Sequence, residues 1–142
     1  MRPEGGGADA GEIIPIVLGA DVSRVRRAVA AAMAIIGASK IETTRMVTAA
    51  SELARNVLDY GGGGEVRIAL VGQKARRKVE LVFTDHGPGI VDLSLALKDG
   101  YSTGGGLGLG LSGARRLCKE FEIQSAPGKG TVVKVASWTE RP

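Results

Sequence analysis

Apolar residues recur along the chain with two different spacings, and these separate predicted strands from predicted helices. Short runs of branched or alternating apolar residues predict strands at 12–18, 65–71, 78–84, 121–125 and 131–138. Apolar positions three or four residues apart predict helices over 21–36, 40–60 and 107–120, with a short helix near 93–97. This order of elements predicts an α/β fold, a two-layer sandwich whose helices pack on one face of a mixed β-sheet.

Polar, glycine and proline residues set the expected ends of these elements. Asp21 can cap the first helix, and Gly37 can end it. Pro15 favours an edge position for the first strand, because proline lacks the N–H that a second neighbouring strand would need. The glycine run at 61–64 ends the second helix.

The helix predicted over 40–60 has an apolar stripe and a polar face opposite it. The stripe consists of Val47, Ala50, Ala54, Val57 and Leu58. On the polar face, Glu52 and Asn56 stand one helical turn apart. An amide oxygen at this spacing can ligate Mg²⁺ while the carboxylate accepts a proton. Taken alone, the pattern is that of an ordinary solvated helix face.

Length and composition describe one folded domain with an unusual share of glycine. The chain has 142 residues, of which 44% are hydrophobic and 22 residues are glycine. We expect a mobile N-terminal tail over 1–12 and a single domain over 13–142. The glycines cluster instead of repeating every third residue, which excludes collagen and indicates loops where the backbone must approach another group closely.

Charge, aromatic content and cysteine count narrow the class of partner. The net charge of +4 is too mild to predict nucleic-acid binding, and 4% aromatic residues give no stacking platform for single strands. No apolar run approaches the roughly 20 residues that span a bilayer, so no membrane partner is expected. Cys118 is the single cysteine, which excludes an intramolecular disulfide and favours a cytoplasmic location. The single histidine argues against a zinc site of clustered ligands.

The strand predicted over 78–84 runs into the sequence Asp85-His86-Gly87-Pro88-Gly89. Gly87 and Gly89 allow the backbone to turn sharply beside a ligand, and Pro88 stiffens the turn. An aspartate at the end of a strand can accept a hydrogen bond from an exocyclic amine, which favours adenine over guanine. In isolation, the same residues can form an ordinary turn in which Asp85 bonds to nearby backbone.

A further glycine-rich segment leads into the helix predicted over 107–120. Its residues are Gly104, Gly105, Gly106, Leu107, Gly108, Leu109 and Gly110. Free N–H groups at a helix start can bind phosphate, and a plain linker would not alternate leucine with glycine into an amphipathic helix. The string from Gly108 to Gly113 also matches G-x-G-x-x-G. No strand directly precedes it, so a dinucleotide-binding fold is not indicated.

The order of these motifs resembles the Bergerat ATP-binding fold of the GHKL superfamily. The motifs are Glu-x-x-x-Asn on a helix, Asp-x-Gly-x-Gly after a strand, a glycine-rich segment opening a helix, and Gly-x-Gly-Thr before a strand. The resemblance covers about residues 13–138. Segments 51–56, 99–110 and 113–117 are most similar to one branch, the serine/threonine kinases of bacterial partner-switching systems. Within that branch they resemble the RsbT-type switch kinases of the stressosome and, more distantly, the anti-sigma-factor kinases.

The resemblance implies a role for each matching residue. Glu52 would be the general base that takes the proton from a Ser or Thr hydroxyl, and Asn56 would ligate Mg²⁺. Asp85 would read the adenine amine, Gly87 and Gly89 would line the nucleotide site, and Thr131 would complete the adenine pocket. The segment Gly104–Gly110 would enclose the phosphates, with the amides of Gly106, Gly108 and Gly110 holding them. Three residues remain candidates for a contact with the γ-phosphate: Lys98, Arg115 and Arg116.

The function implied by the resemblance is an ATP- and Mg²⁺-dependent protein kinase that phosphorylates a STAS-domain antagonist or scaffold protein. A PP2C-type phosphatase or a sigma factor would act downstream. The alternative is a non-catalytic ATP-binding anti-sigma factor or partner-sequestering switch protein. An ATP hydrolase of the topoisomerase type is disfavoured, because this chain has no room for a transducer domain. A histidine-kinase catalytic domain is disfavoured, because no helical phosphoacceptor segment is present.

Overall fold

The fold is taken from a computed structural model that describes residues 11–73, 77–98 and 110–140. Along these ranges the elements are β1 (Glu12–Ile16), α1 (Gly19–Ile35), α2 (Lys40–Asp59), β2 (Gly64–Val71), β3 (Lys78–Asp85), α3 (Leu93–Ala96), α4 (Gly110–Leu117), β4 (Glu120–Ser125) and β5 (Thr131–Ser137). Most of the tail expected over 1–12 lies outside the described residues. Glu12 already belongs to β1, where it pairs with Ile68.

The strands form one sheet in the order β1-β2-β3-β5-β4, and every pairing in it is antiparallel. The prediction of a mixed sheet was therefore wrong in strand direction. β3 and β4 run the same way and are joined through α4, as parallel neighbours would be. The hairpin partner β5 lies between them, so no parallel pair forms.

The two-layer sandwich is confirmed, with a core between the helices and one face of the sheet. Alternate residues of β3 are buried against the helices, namely Val79, Leu81, Phe83 and Asp85. The buried face of α2 contains Met46, Ala49, Ala50, Leu53, Ala54 and Val57. Three residues of the predicted stripe are therefore buried, whereas Val47 and Leu58 are half-buried at its margins. The burial of strand and helix faces against each other drives the fold.

Two ends of elements differ from the predictions for local reasons. α1 begins at Gly19 after Leu18, and Asp21 stabilises this start from inside the first turn, because its carboxylate accepts the backbone N–H groups of Val17 and Leu18, each at 2.9 Å. These two bonds lower the pKa of Asp21. The last helix was predicted to reach Glu120, but α4 ends at Leu117, and Glu120 pairs with Ala136 in the β4–β5 hairpin.

Pro15 lies in the edge strand, as predicted, since β1 pairs only with β2 in the described sheet. Gly37 ends the turn after α1 with a φ of 78°, a conformation that suits glycine. No helix in the described ranges is both long enough and apolar enough to cross a membrane.

Cys118 follows α4 and packs against the core. Its Sγ lies 3.8 Å from Sδ of Met46 on α2. Burial raises the pKa of the Cys118 thiol to about 12, because the apolar surroundings disfavour the thiolate.

Glu42 fastens the C-terminal segment to the start of α2. Its carboxylate accepts the backbone N–H of Ser39 at 2.7 Å and that of Glu140 at 2.9 Å. The Thr139 hydroxyl donates to it at 2.9 Å. The bond from Ser39, followed by the bond from Glu140, lowers the pKa of Glu42 to about 2. The charged form of this side chain therefore stabilises the fold.

We expect Glu42→Gln to lower the free energy of unfolding by about 1 kcal/mol at neutral pH. The carboxyl titrates near 4.5 in the unfolded chain and near 2 in the folded one. Its stabilisation is complete above the first value and lost as the pH falls to the second. The difference between wild type and variant should therefore shrink across this window in urea denaturation curves. Glu65→Gln, which changes an exposed carboxyl on β2, is the control. A difference that stays constant with pH would contradict the linkage.

Candidate functional site

Asp85, Thr131 and Ser125 form a polar row at one end of the helix-facing side of the sheet. The strand register places Asp85 opposite Thr131, and Thr131 opposite Ser125. Side chains directly opposite each other share a face, and Asp85 continues the buried, helix-facing set of β3. The next row on that face is apolar, with Ile14, Val66, Phe83, Val133 and Ile123. An apolar floor that ends in polar groups suits a flat ring with a polar edge.

Asp85 is held in place by backbone on two sides. Only 9% of it is exposed, and its Oδ1 accepts the backbone N–H of Gly87 at 2.9 Å. The backbone of Gly61, just after α2, packs directly on the carboxyl group. A Cβ atom at Gly61 would lie 2.4 Å from Cγ of Asp85. The carboxylate is therefore fixed before any ligand arrives.

The loop after Asp85 packs against the turn of the β4–β5 hairpin. Gly89 has a φ of 79°, and a Cβ atom there would meet the carbonyl oxygen of Ala126 at 2.0 Å. Gly130 has a φ of 74°, and its Cβ atom would lie 2.3 Å from the carbonyl oxygen of Asp85. The N–H of Gly128 donates to the carbonyl of Pro88 at 2.7 Å. Only glycine fits these two crowded positive-φ positions, where the loop and the hairpin turn approach each other closely.

Gly61→Ala is expected to disturb the candidate site because the new methyl group must displace the Asp85 carboxyl or the end of α2. We expect a loss of about 1 to 3 kcal/mol in the free energy of unfolding, together with weaker binding of the nucleotide that the sequence predicts for this site. Thermal melts and nucleotide titrations measure the two effects. The matched control is Gly19→Ala, because a Cβ atom at Gly19 meets nothing within 4 Å. Equal behaviour of the two variants would show that the contact with Asp85 is unimportant.

Glu52 and Asn56 lie on α2 as predicted, and both are half-buried. Neither side chain is held by a hydrogen bond within the described part of the chain, so both can turn to a ligand. The backbone carbonyl of Asn56 accepts the N–H groups of Tyr60 at 3.0 Å and Gly61 at 3.2 Å. These two bonds cap the end of α2 and place the backbone of Gly61 against the Asp85 carboxyl group. One helix thus carries Glu52 and Asn56 and also supports the buried carboxylate.

Ser125 belongs to the polar row but was not predicted as a site residue. Its Oγ accepts the N–H of Ile90 at 2.8 Å, lies 3.0 Å from the carbonyl oxygen of Gly130, and lies 2.8 Å from Oγ1 of Thr131. The sequence feature that could have identified Ser125 is the predicted β4–β5 hairpin. A five-residue turn over 126–130 places the residue before it opposite the residue after it, which is Thr131.

Most of the predicted phosphate segment lies outside the described residues, namely Gly104, Gly105, Gly106, Leu107, Gly108 and Leu109. Gly110 is described as the first residue of α4. In the first turn of α4, Ser112 is 1% exposed, and its hydroxyl has no hydrogen-bond partner among the described residues. A donor without a partner at a helix start is suited to an anionic oxygen.

The three candidates for a γ-phosphate contact differ in their surroundings. Arg115 donates from Nη2 to the carbonyl of Leu97 at 3.3 Å, which ties α4 to the end of α3. The carbonyl of Arg116 accepts Nη2 of Arg45 at 3.2 Å. Lys98 is exposed.

A divalent cation at this site would need oxygen ligands from a bound molecule as well as from the protein. No group of three or more His, Cys, Asp and Glu residues in the described ranges could hold a metal alone. Mg²⁺ is commonly bound by one or two protein oxygens together with substrate phosphates. The amide oxygen of Asn56 fits that role.

Comparisons with known proteins show the family of this chain. The family model described as "Histidine kinase-, DNA gyrase B-, and HSP90-like ATPase" matches residues 41–141. The serine/threonine-protein kinase RsbT of Bacillus subtilis (strain 168) is 40% identical over 103 residues, which cover 72% of this chain and 77% of that protein. An anti-sigma F factor of Thermoanaerobacter sp. (strain X514) is 30% identical over 122 residues, or 82% of this chain and 84% of that protein.

A solved structure shares the fold. It is the crystal structure of the RsbU and RsbW domains of Rv1364c from Mycobacterium tuberculosis, with a TM-score of 0.63 and 22% sequence identity. The match covers 94% of this chain and 34% of that chain, so this protein spans about a third of its length. At this identity the likeness extends to the fold alone.

Proposed function

Because the chain belongs to the histidine kinase-, DNA gyrase B- and HSP90-like ATPase family, we propose that it is an ATP-dependent serine/threonine protein kinase of a bacterial partner-switching system. The observation that carries the nucleotide part is the buried Asp85, whose carboxylate is fixed by Gly87 and Gly61 at the end of an apolar floor. The kinase part is supported by 40% identity to a protein named as a serine/threonine kinase.

ATP would enter with its base against the polar row. The carboxylate of Asp85 accepts a hydrogen bond from the adenine amine, and Thr131 completes this end of the pocket. Gly87 and Gly89 let the backbone lie against the base. The segment Gly104–Gly110 and the start of α4 hold the phosphates through backbone N–H groups.

Transfer requires a positioned acceptor and neutralised charge more than covalent help from the protein. The hydroxyl oxygen of a Ser or Thr on the partner attacks the γ-phosphorus, the bond to the bridging oxygen breaks, and ADP leaves. Glu52 accepts the hydroxyl proton. Asn56 would hold Mg²⁺, which offsets the negative charge of the phosphates when bound. The pair fits these tasks because Glu52 and Asn56 lie one turn apart on one helix.

The proposed protein substrate is a STAS-domain antagonist or scaffold protein, as in the stressosome, and the proposed location is the cytoplasm. Phosphorylation would release the kinase to act on a downstream PP2C-type phosphatase or on sigma-factor regulation. The support comes from relatives named as the serine/threonine-protein kinase RsbT and as an anti-sigma F factor.

The test mixes the purified protein with Mg·ATP and with STAS-domain proteins from the same organism, and weighs the products by mass spectrometry. We expect one added phosphate on one of these proteins. A control without ATP and a control without the kinase establish where the phosphate comes from. No added phosphate on any of them would refute the kinase assignment.

The second candidate is a non-catalytic, ATP-binding anti-sigma factor or sequestering switch. Its support is the 30% identity to an anti-sigma F factor over most of both chains. This function predicts a stable, nucleotide-dependent complex with a partner and no phosphate transfer. Size-exclusion chromatography of the same mixtures separates the two functions.

A further inference from the structure

Ser125 joins the two sides of the proposed adenine pocket. From its contacts we propose that Ser125 is a positioning residue that holds the Thr131 hydroxyl as a hydrogen-bond acceptor and so favours adenine over guanine. The inference rests on the proposed binding of ATP at Asp85. It adds to that site a further residue, Ser125, and a reason for a preference for adenine over guanine.

The Ser125 hydroxyl meets three groups from two segments, the loop after β3 and the junction of the hairpin turn with β5. Ile90, in the loop after β3, donates its N–H at 2.8 Å. The carbonyl of Gly130, in the hairpin turn, lies at 3.0 Å. Oγ1 of Thr131, at the start of β5, lies at 2.8 Å. One hydroxyl therefore fastens the loop after Asp85 to the strand that faces it.

The polarity of these bonds follows from what each group can do. A serine hydroxyl has one proton and two lone pairs. The Ile90 N–H can only donate, so it takes one lone pair. The Gly130 carbonyl can only accept, so it takes the proton. The remaining lone pair of Ser125 is then filled by the proton of Thr131. The reverse arrangement, with Ser125 donating to Thr131, would deprive the Gly130 carbonyl of its bond from Ser125.

This arrangement fixes what Thr131 presents to a ligand. With its proton directed at Ser125, Thr131 offers lone pairs only. Asp85, directly opposite Thr131 in the sheet, also has a carboxylate that only accepts. Both groups at this end of the pocket therefore accept hydrogen bonds. The 6-amino group of adenine supplies donors, whereas guanine has a carbonyl oxygen there and would meet acceptors.

The test compares ATP and GTP affinities of wild type, Ser125→Ala and Ser125→Thr by calorimetry. Loss of the Ser125 hydroxyl frees the Thr131 proton, so Ser125→Ala should reduce the preference for ATP over GTP by about tenfold. Ser125→Thr keeps a hydroxyl and should restore the preference. The matched control is Ser137→Ala at the other end of β5, where a serine that is 6% exposed accepts the N–H of Lys119 at 3.3 Å. That control should leave the preference unchanged.

A loss of stability alone would lower the apparent affinities for ATP and GTP by the same factor. The ratio of the two affinities therefore separates a positioning role of Ser125 from a role in folding. A wild-type ratio in Ser125→Ala, with ATP still bound by wild type, would overturn the role of Ser125 and leave the proposed function intact. Wild type that binds neither nucleotide would overturn the proposed function and this inference together. Where thermal melts show that Ser125→Ala does not fold, Ser125→Cys, which keeps the size and weakens the hydrogen bonds, takes its place in the same comparison.

Discussion

Asp85→Asn is expected to weaken ATP binding by about 30- to 100-fold, equivalent to roughly 2 to 3 kcal/mol. In the folded protein, Oδ1 of Asp85 already accepts the N–H of Gly87 at 2.9 Å. The carboxylate has a second oxygen for the adenine amine, but an asparagine has only one acceptor. In the variant, either the Gly87 N–H or the adenine amine faces an amide NH₂ group. One of the two donors is then left without a partner in a buried place.

Calorimetric titration with ATP measures the loss, and thermal melts establish that the variant is folded. Glu52→Ala is the comparison within the same site, because Glu52 is assigned to the acceptor hydroxyl and not to the base. We expect the affinity for ATP to fall much further in Asp85→Asn than in Glu52→Ala. Equal affinities in the two variants would refute this division of roles.

Glu52→Ala is expected to lower the rate of phosphoryl transfer by about 10²- to 10⁴-fold, the usual contribution of a positioned general base. Glu52 is half-buried on α2, and no described residue holds its carboxylate by a hydrogen bond. The side chain is therefore available for a proton from the partner's hydroxyl. Binding of ATP and of the partner protein should persist, since neither depends on this carboxylate.

Single-turnover assays with the phosphorylated partner as product measure the rate. Asp59→Ala is the matched control, because Asp59 is an exposed acid two turns further along α2. It should transfer phosphate at the wild-type rate. Transfer at the wild-type rate in Glu52→Ala would remove Glu52 from the mechanism. Unchanged regulation of the partner without any transfer would favour the sequestering switch.

Local patterns were enough to predict the layers and most elements. The apolar stripe of α2 and the alternation in β3 depend on burial of one face, and each is visible in a short stretch of sequence. Strand direction was not predictable in this way. The insertion of β5 between β3 and β4 is decided by pairing between distant segments, and no local feature marks it.

In the candidate site too, residues marked by local motifs were predictable from the sequence, whereas contacts between distant segments were not. Asp85, Gly89 and Thr131 were predicted as site residues because each belongs to a motif with a fixed order. Ser125 was missed because its importance comes from the residues opposite it across the sheet. The crowding of Gly61 against Asp85 was invisible for the same reason, since these residues belong to different motifs and meet only in the folded chain.

The half-buried thiol of Cys118 makes this chain convenient for site-directed labelling. Maleimides react with thiolates, and a thiol whose pKa is raised to about 12 has almost none at neutral pH. A cysteine introduced at an exposed position would therefore react much faster than the native one. Val91 is 87% exposed and directly follows Ile90, whose N–H binds Ser125. A fluorophore at Val91→Cys would report arrival of a nucleotide at the polar row in an otherwise native protein.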